Sequence, residues 1–151
     1  KMVDVYAASD AIPVSISVAD FIDNVGGKKS VWCRGISRAV YAPNKVTYTQ
    51  YIQEALISTL IDAARYSKSA PHVLRGTVDM VDFNATTGYW LIRGKFNIDN
   101  SVPVYVKGHY AFPSAWGDDE ACEKAAQAFD QAVAAFVHDI LTNAALADSI
   151  N

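Results

Sequence analysis

The sequence predicts an α+β domain: a two-layer sandwich in the order β-β-α-β-β-β-α, with a mainly antiparallel sheet and both helices packed on one face. Three observations predict it. Residues 72–112 place an apolar residue or Gly at every second position in three successive runs, from Leu74 to Met80, Trp90 to Ile98 and Val102 to Phe112. That is the period of strands with one buried face. Two other stretches, about 47–66 and 118–146, repeat apolar residues at three- and four-residue steps, as half-buried helices do. The three runs are joined only by Asn84-Ala85-Thr86-Thr87-Gly88 and Asp99-Asn100-Ser101, connections rich in turn formers and short enough to make the strands antiparallel neighbours.

The remaining elements follow in chain order. Residues 1–12 lack a period and read as a linker or arm, leaving 13–147 as a single domain. Val14, Ile16 and Val18 alternate with Ser15 and Ser17, a first strand opening at Pro13. Asp20 falls on its apolar phase, where a carboxylate needs a partner; the expected partners are amides of the following turn, and a functional acid is the sharper reading. A turn at Gly26-Gly27-Lys28-Lys29 precedes a second strand over 31–41, blurred by Arg34-Gly35 and Arg38. Thr47 and Gln50 then form a capping box, and Tyr48, Ile52, Ala55, Leu56, Thr59, Leu60 and Ala63 line one side of the first helix. Asp118, Asp119 and Glu120 open the second helix at its positive dipole end. Its expected stripe is Cys122, Ala126, Phe129, Val133, Phe136, Val137, Ile140 and Leu141. Inward Gly76, Gly94 and Gly108 leave room on the sheet for that alanine-rich helix.

Composition excludes several functions. A chain of 151 residues, 51% apolar and 19% charged, is one globular domain without a stretch approaching the roughly 18 apolar residues of a membrane span. A net charge of -3 opposes a nucleic-acid partner, which ordinarily requires a basic face. Gly26-Gly27-Lys28-Lys29-Ser30 does not fit the phosphate-loop frame, and its sequel reads as a strand rather than a helix. His72, His109 and His138 are scattered, Ser114 lies in no nucleophile elbow, and Asp79 and Asp82 are expected on opposite sides of their strand. No catalytic residue, metal site or cofactor is expected, and an enzyme would need a convergence that the spacing does not supply. Asn84-Ala85-Thr86 is a glycosylation triplet in a turn. Cys33 and Cys122 admit two readings, independent buried thiols or one disulfide implying an oxidising compartment.

The outer face of the three-stranded meander carries Tyr89, Leu91, Arg93, Tyr105, Lys107 and His109, with Arg75 and Lys95. Cross-strand pairs on a solvated sheet are the plain reading. A protein interface or self-association through Tyr89, Leu91 and Tyr105 is the functional one.

With the order assembled, the run from Pro13 to Asn24, the glycine turn, the helix start Tyr48-Thr49-Gln50-Tyr51, the pattern Leu74-Arg75-Gly76-Thr77-Val78 and the long closing helix resemble a group of bacterial envelope lipoproteins. The group takes in YajG-type lipoproteins, penicillin-binding-protein activator lipoproteins and proteins sharing the fold of the TolB N-terminal domain. Neither Asp20-Phe21-Ile22 nor Asp23-Asn24-Val25 carries the Asp-x-Arg that YajG-type proteins tend to have. The resemblance implies export, a lipidated cysteine upstream of Lys1, and a periplasmic domain tethered to the outer membrane, with no other membrane contact. An exported location makes the Cys33–Cys122 disulfide as good a reading as free thiols. The function implied is a non-enzymatic module binding another envelope protein, through the polar sheet face or the edge beside the first strands. The alternative is a small-ligand-binding protein with an apolar pocket between sheet and helices, lined by Trp90, Phe96, Tyr110 and Phe129.

Overall fold

The computed structural model describes residues 11–33 and 39–150. The expected arm lies outside them except for Ala11 and Ile12, as do Arg34, Gly35 and Arg38 of the expected second strand. Ile12 is fully buried, and its carbonyl accepts a hydrogen bond from Arg65 Nε at 2.6 Å.

The expected α+β architecture forms. Strands β1 (Ser17–Val18) and β2 (Ile22–Asp23) both run parallel to β5 (Val73–Asn84), which pairs antiparallel with β6 (Tyr89–Ile98), and β6 with β7 (Val104–Ala111). In place of the single second strand expected over 31–41, the chain forms two, β3 (Ser30–Trp32) and β4 (Ala39–Tyr41), which pair antiparallel with each other in a separate sheet because the chain reverses between them. A 3-10 turn, Pro43–Lys45, leads into α1 (Tyr48–Asp62); α2 (Asp118–Leu141) and a short α3 (Ala144–Asp148) close the chain. Parallel pairing of β1 with β5 requires a long crossover, and α1 lies within it. The Thr47 hydroxyl accepts from Gln50 N at 3.0 Å, the N-terminal half of the expected capping box.

The first strand is shorter and more broken than its alternation predicts. Between β1 and β2 the chain leaves the edge of β5 and turns Phe21 into the core, so Asp20 becomes exposed. Val14 is exposed as well. Gln53 holds this detour, its Oε1 accepting from Phe21 N (2.7 Å) and its Nε2 donating to Asp20 Oδ1 (3.1 Å). The carboxylate that accepts from the following turn is Asp23, bonded to Val25 N.

A second departure lies inside β5. Its register on β6 shifts between Val78 and Met80, a β-bulge. Val78 and Val81 both face the core, with Asp79 and Met80 between them on the outer side. Met80, expected inward, therefore stands opposite Arg93 and accepts from its Nη2 at 3.3 Å. Asp82 falls on the outer side too, so Asp79 and Asp82 do not point to opposite faces; Asp79 accepts from Asn24. Val102, also expected inward, precedes β7 and is 84% exposed.

The core between the layers is built from interlocking rings. Trp90 lies 4.8 Å from Phe83 and 4.9 Å from Phe129, and its indole N–H donates to Ala125 O at 2.8 Å. Phe96 lies 5.5 Å from Phe21 and 5.8 Å from Phe136. The inward glycines divide their work differently from expectation: a Cβ at Gly76 would stand 2.5 Å from the Phe96 ring, and one at Gly94 would stand 2.6 Å from Thr77 O, whereas only Gly108 faces a helix residue, Phe136. The buried alanines of α2 are Ala121, Ala125, Ala128 and Ala132, while Ala126 is exposed. The expected continuation to 146 breaks at Thr142, where Asn143 caps a new helix by accepting from Leu146 N.

Candidate interaction face

Register gathers all six expected face residues on one surface. Leu91 stands opposite His109 and Arg93 opposite Lys107; Lys95, on the same face, stands opposite Tyr105. The Tyr89 and His109 rings stack with centroids 4.6 Å apart, and Lys95 Nζ lies 6.0 Å from the Tyr105 ring centre. Alternation of a strand explains the gathering: Trp90, Ile92, Val106 and Tyr110 turn towards the helices, so their neighbours must turn away. Tyr105 is 78% exposed, and no described element covers this face.

The two sides of the molecule differ in charge. On the outer face Arg75, Arg93, Lys95 and Lys107 stand against Asp79 and Asp82, four cations to two carboxylates. Helices α1 and α2 together carry eight carboxylates and one lysine, Lys124. A net charge of -3 thus conceals a basic sheet face behind acidic helices. Composition could not reveal that partition, because it depends on which residues share a face.

The edges of the sheet are unequal. Beside β1, Ile16 donates to Arg65 O and accepts from Ser67 N, so that edge is occupied where it begins. At the other side the eight-residue β7 pairs only with β6, and no other described strand lies along its far edge.

The remaining candidates are dispersed. Cys33 and Cys122 are bonded, with Cα atoms 6.0 Å apart, joining the end of β3 to the first turn of α2. Asp99 Oδ2 pairs with His72 Nδ1 at 2.7 Å while Oδ1 accepts from Val73 N, and these bonds hold its carboxyl below the usual carboxylate range. This clamp fastens the β6–β7 turn to the start of β5. His138 lies 3.7 Å from Asp139 on α2. Among the described residues no group of three or more His, Cys, Asp or Glu side chains could hold a metal ion. The Gly26-Gly27 turn leads into β3. Of the residues of the alternative apolar pocket, Trp90, Phe96 and Phe129 are buried in ring contact, and Tyr110 sits half-buried at the rim with its hydroxyl bonded to Gln131. Burial raises the Tyr51 phenol, and its bond to Asp130 (2.6 Å) raises it further.

No family model and no curated protein matches this chain. Among solved structures, it is similar to the crystal structure of protein XCC0632 from Xanthomonas campestris, described by the family model DUF330, with a TM-score of 0.56. The match covers 89% of this chain and 85% of that one at 13% sequence identity. The likeness is one of fold, to a bacterial protein.

Proposed function

We propose that this chain is a non-enzymatic, exported envelope domain, lipid-anchored upstream of its first residue, that binds another protein through the outer face of its sheet. The observation that carries the reading is the aromatic and basic surface made by Tyr89, Leu91, Arg93, Tyr105, Lys107 and His109, which no described element covers. A sheet with one face packed and one face free is stable in water when the free face is polar. Here that face also exposes a large aromatic ring, of a kind enriched at protein interfaces. The Cys33–Cys122 bond suits an oxidising compartment, and the fold is one that a bacterial protein shares.

The test is recovery of crosslinked partners from cells carrying the full-length protein or its Tyr89→Ala/Tyr105→Ala variant. The double variant, at equal abundance, should lose most of its crosslinked partner. Equal recovery would exclude the sheet face. Fractionation of the same cells, with intact mass before and after reduction, tests the compartment: a cytosolic pool with two alkylatable thiols would remove the envelope reading.

A further inference from the structure

We infer that the free edge of β7 accepts an acidic, extended polypeptide segment as an added strand. This rests on the protein-binding reading and specifies its mode and the chemistry of the partner.

The phase of the ladder fixes which backbone groups are available. Phe112 N donates to Gly88 O, so residues 112, 110, 108, 106 and 104 turn their amides and carbonyls towards β6. The intervening residues, Tyr105, Lys107 and His109, must turn theirs away from it. None of these outward groups meets another described residue. An eight-residue strand spans about 26 Å, long enough to hold a six- or seven-residue partner strand.

Charge decides the occupant. Lys107 stands in the middle of the edge with Arg93 opposite it on β6, so an added residue in that cross-strand row adjoins Lys107 and has a second cation one strand further in. A second copy adding antiparallel through the same groups, in the register centred on Lys107, would place its own Lys107 opposite this one, a like-charged pair. A lysine on an edge strand discourages self-pairing in this way. A carboxylate at the same position is instead attracted, while the ladder hydrogen bonds hold the main chain. On the next row Tyr105, backed by Lys95, offers a ring to an apolar or aromatic side chain.

The test titrates the full chain with three blocked seven-residue peptides: alternating Glu and Val, alternating Lys and Val, and the Glu/Val peptide N-methylated at alternate residues. Hydrogen exchange is read at single amides. The Glu/Val peptide should protect the amides of Tyr105, Lys107 and His109, with binding that weakens as salt rises; the other two should not. Lys107→Glu should reverse the preference between the Glu and Lys peptides by on the order of tenfold. Lys107→Pro should abolish binding while leaving the melting transition in place, since the amide it removes lies outside the β6 ladder. Binding without protection of those amides, equal binding of the Lys peptide, or no binding at millimolar peptide would each overturn the inference. If crosslinking still depends on Tyr89 and Tyr105 while the peptides fail, the edge mode fails and the sheet-face reading stands.

Discussion

The same three strands, β5 to β7, make two surfaces that obey different rules. On the inner side every position is fixed by volume: Phe96 fits because Gly76 and Gly94 flank it, and Trp90 fits because its one polar atom finds Ala125 O. On the outer side volume fixes nothing, and the arrangement is held by stacked rings, cation-to-ring contact and register. The difference shows where a sequence is constrained by folding and where it is free to serve binding. Substitution should therefore separate the two faces cleanly.

The largest effect is expected from Phe96→Ala, which empties the site between Phe21 and Phe136 and should cost about 3–5 kcal/mol in denaturant unfolding. A loss under about 1 kcal/mol would mean that the inner face is loosely packed. Replacing both cysteines by Ser should cost roughly 2–5 kcal/mol, because the bond closes a loop between residues 89 apart; an unchanged melting temperature would show the bond absent in solution. Gly76→Ala drives a methyl into the Phe96 ring and should cost about 1–3 kcal/mol. Retained stability there would require Phe96 to move, which a crystal structure of the variant would reveal.

Smaller still is the effect of the His72–Asp99 clamp. The carboxyl of Asp99 is held below its ordinary value of 3.8 in the folded state, first by the His72 bond and then by Val73 N. Its stabilisation is therefore complete above that ordinary value and declines as pH falls through it towards the folded value. Asp99→Asn should reduce the acid sensitivity of unfolding in that window; an unchanged acid limb would show that the clamp does not act in solution. Smallest of all is Leu91→Ala on the outer face, expected to change stability by no more than about 0.5 kcal/mol. A large loss would join that face to the folding core and remove the distinction between the two surfaces.

Legibility followed the same division. The meander, both turns and the first helix with its Thr47 cap were readable because their signals are local: a two-residue period, Gly and Asn in turns, a hydroxyl three residues before Gln50 N. Gly88 illustrates this, since its φ of +81° and the approach of Phe112 O leave no space for a side chain. The β5 bulge was not readable. Leu74 to Met80 alternates and Val81 and Phe83 resume on the opposite phase, but only pairing with β6 places the break before Met80 and shows that it turns outward beside Arg93. Phe21 and Asp20 exchanged roles for a similar reason, because Gln53 on a helix thirty residues later holds the detour. The candidate face was legible as a set of residues, but its stacking and its charge relative to the helices were not.

The sequence by itself determined the three-stranded meander, the two long helices and the class of the fold, because hydrophobic period and turn chemistry act over a few residues. Tertiary structure alone decided that the first strands run parallel to β5, that Cys33 meets Cys122, and that β7, with Lys107 opposite Arg93, stands last in the sheet among the described residues. Those outcomes depend on which distant segments win a shared edge, a competition between whole surfaces that no local pattern encodes.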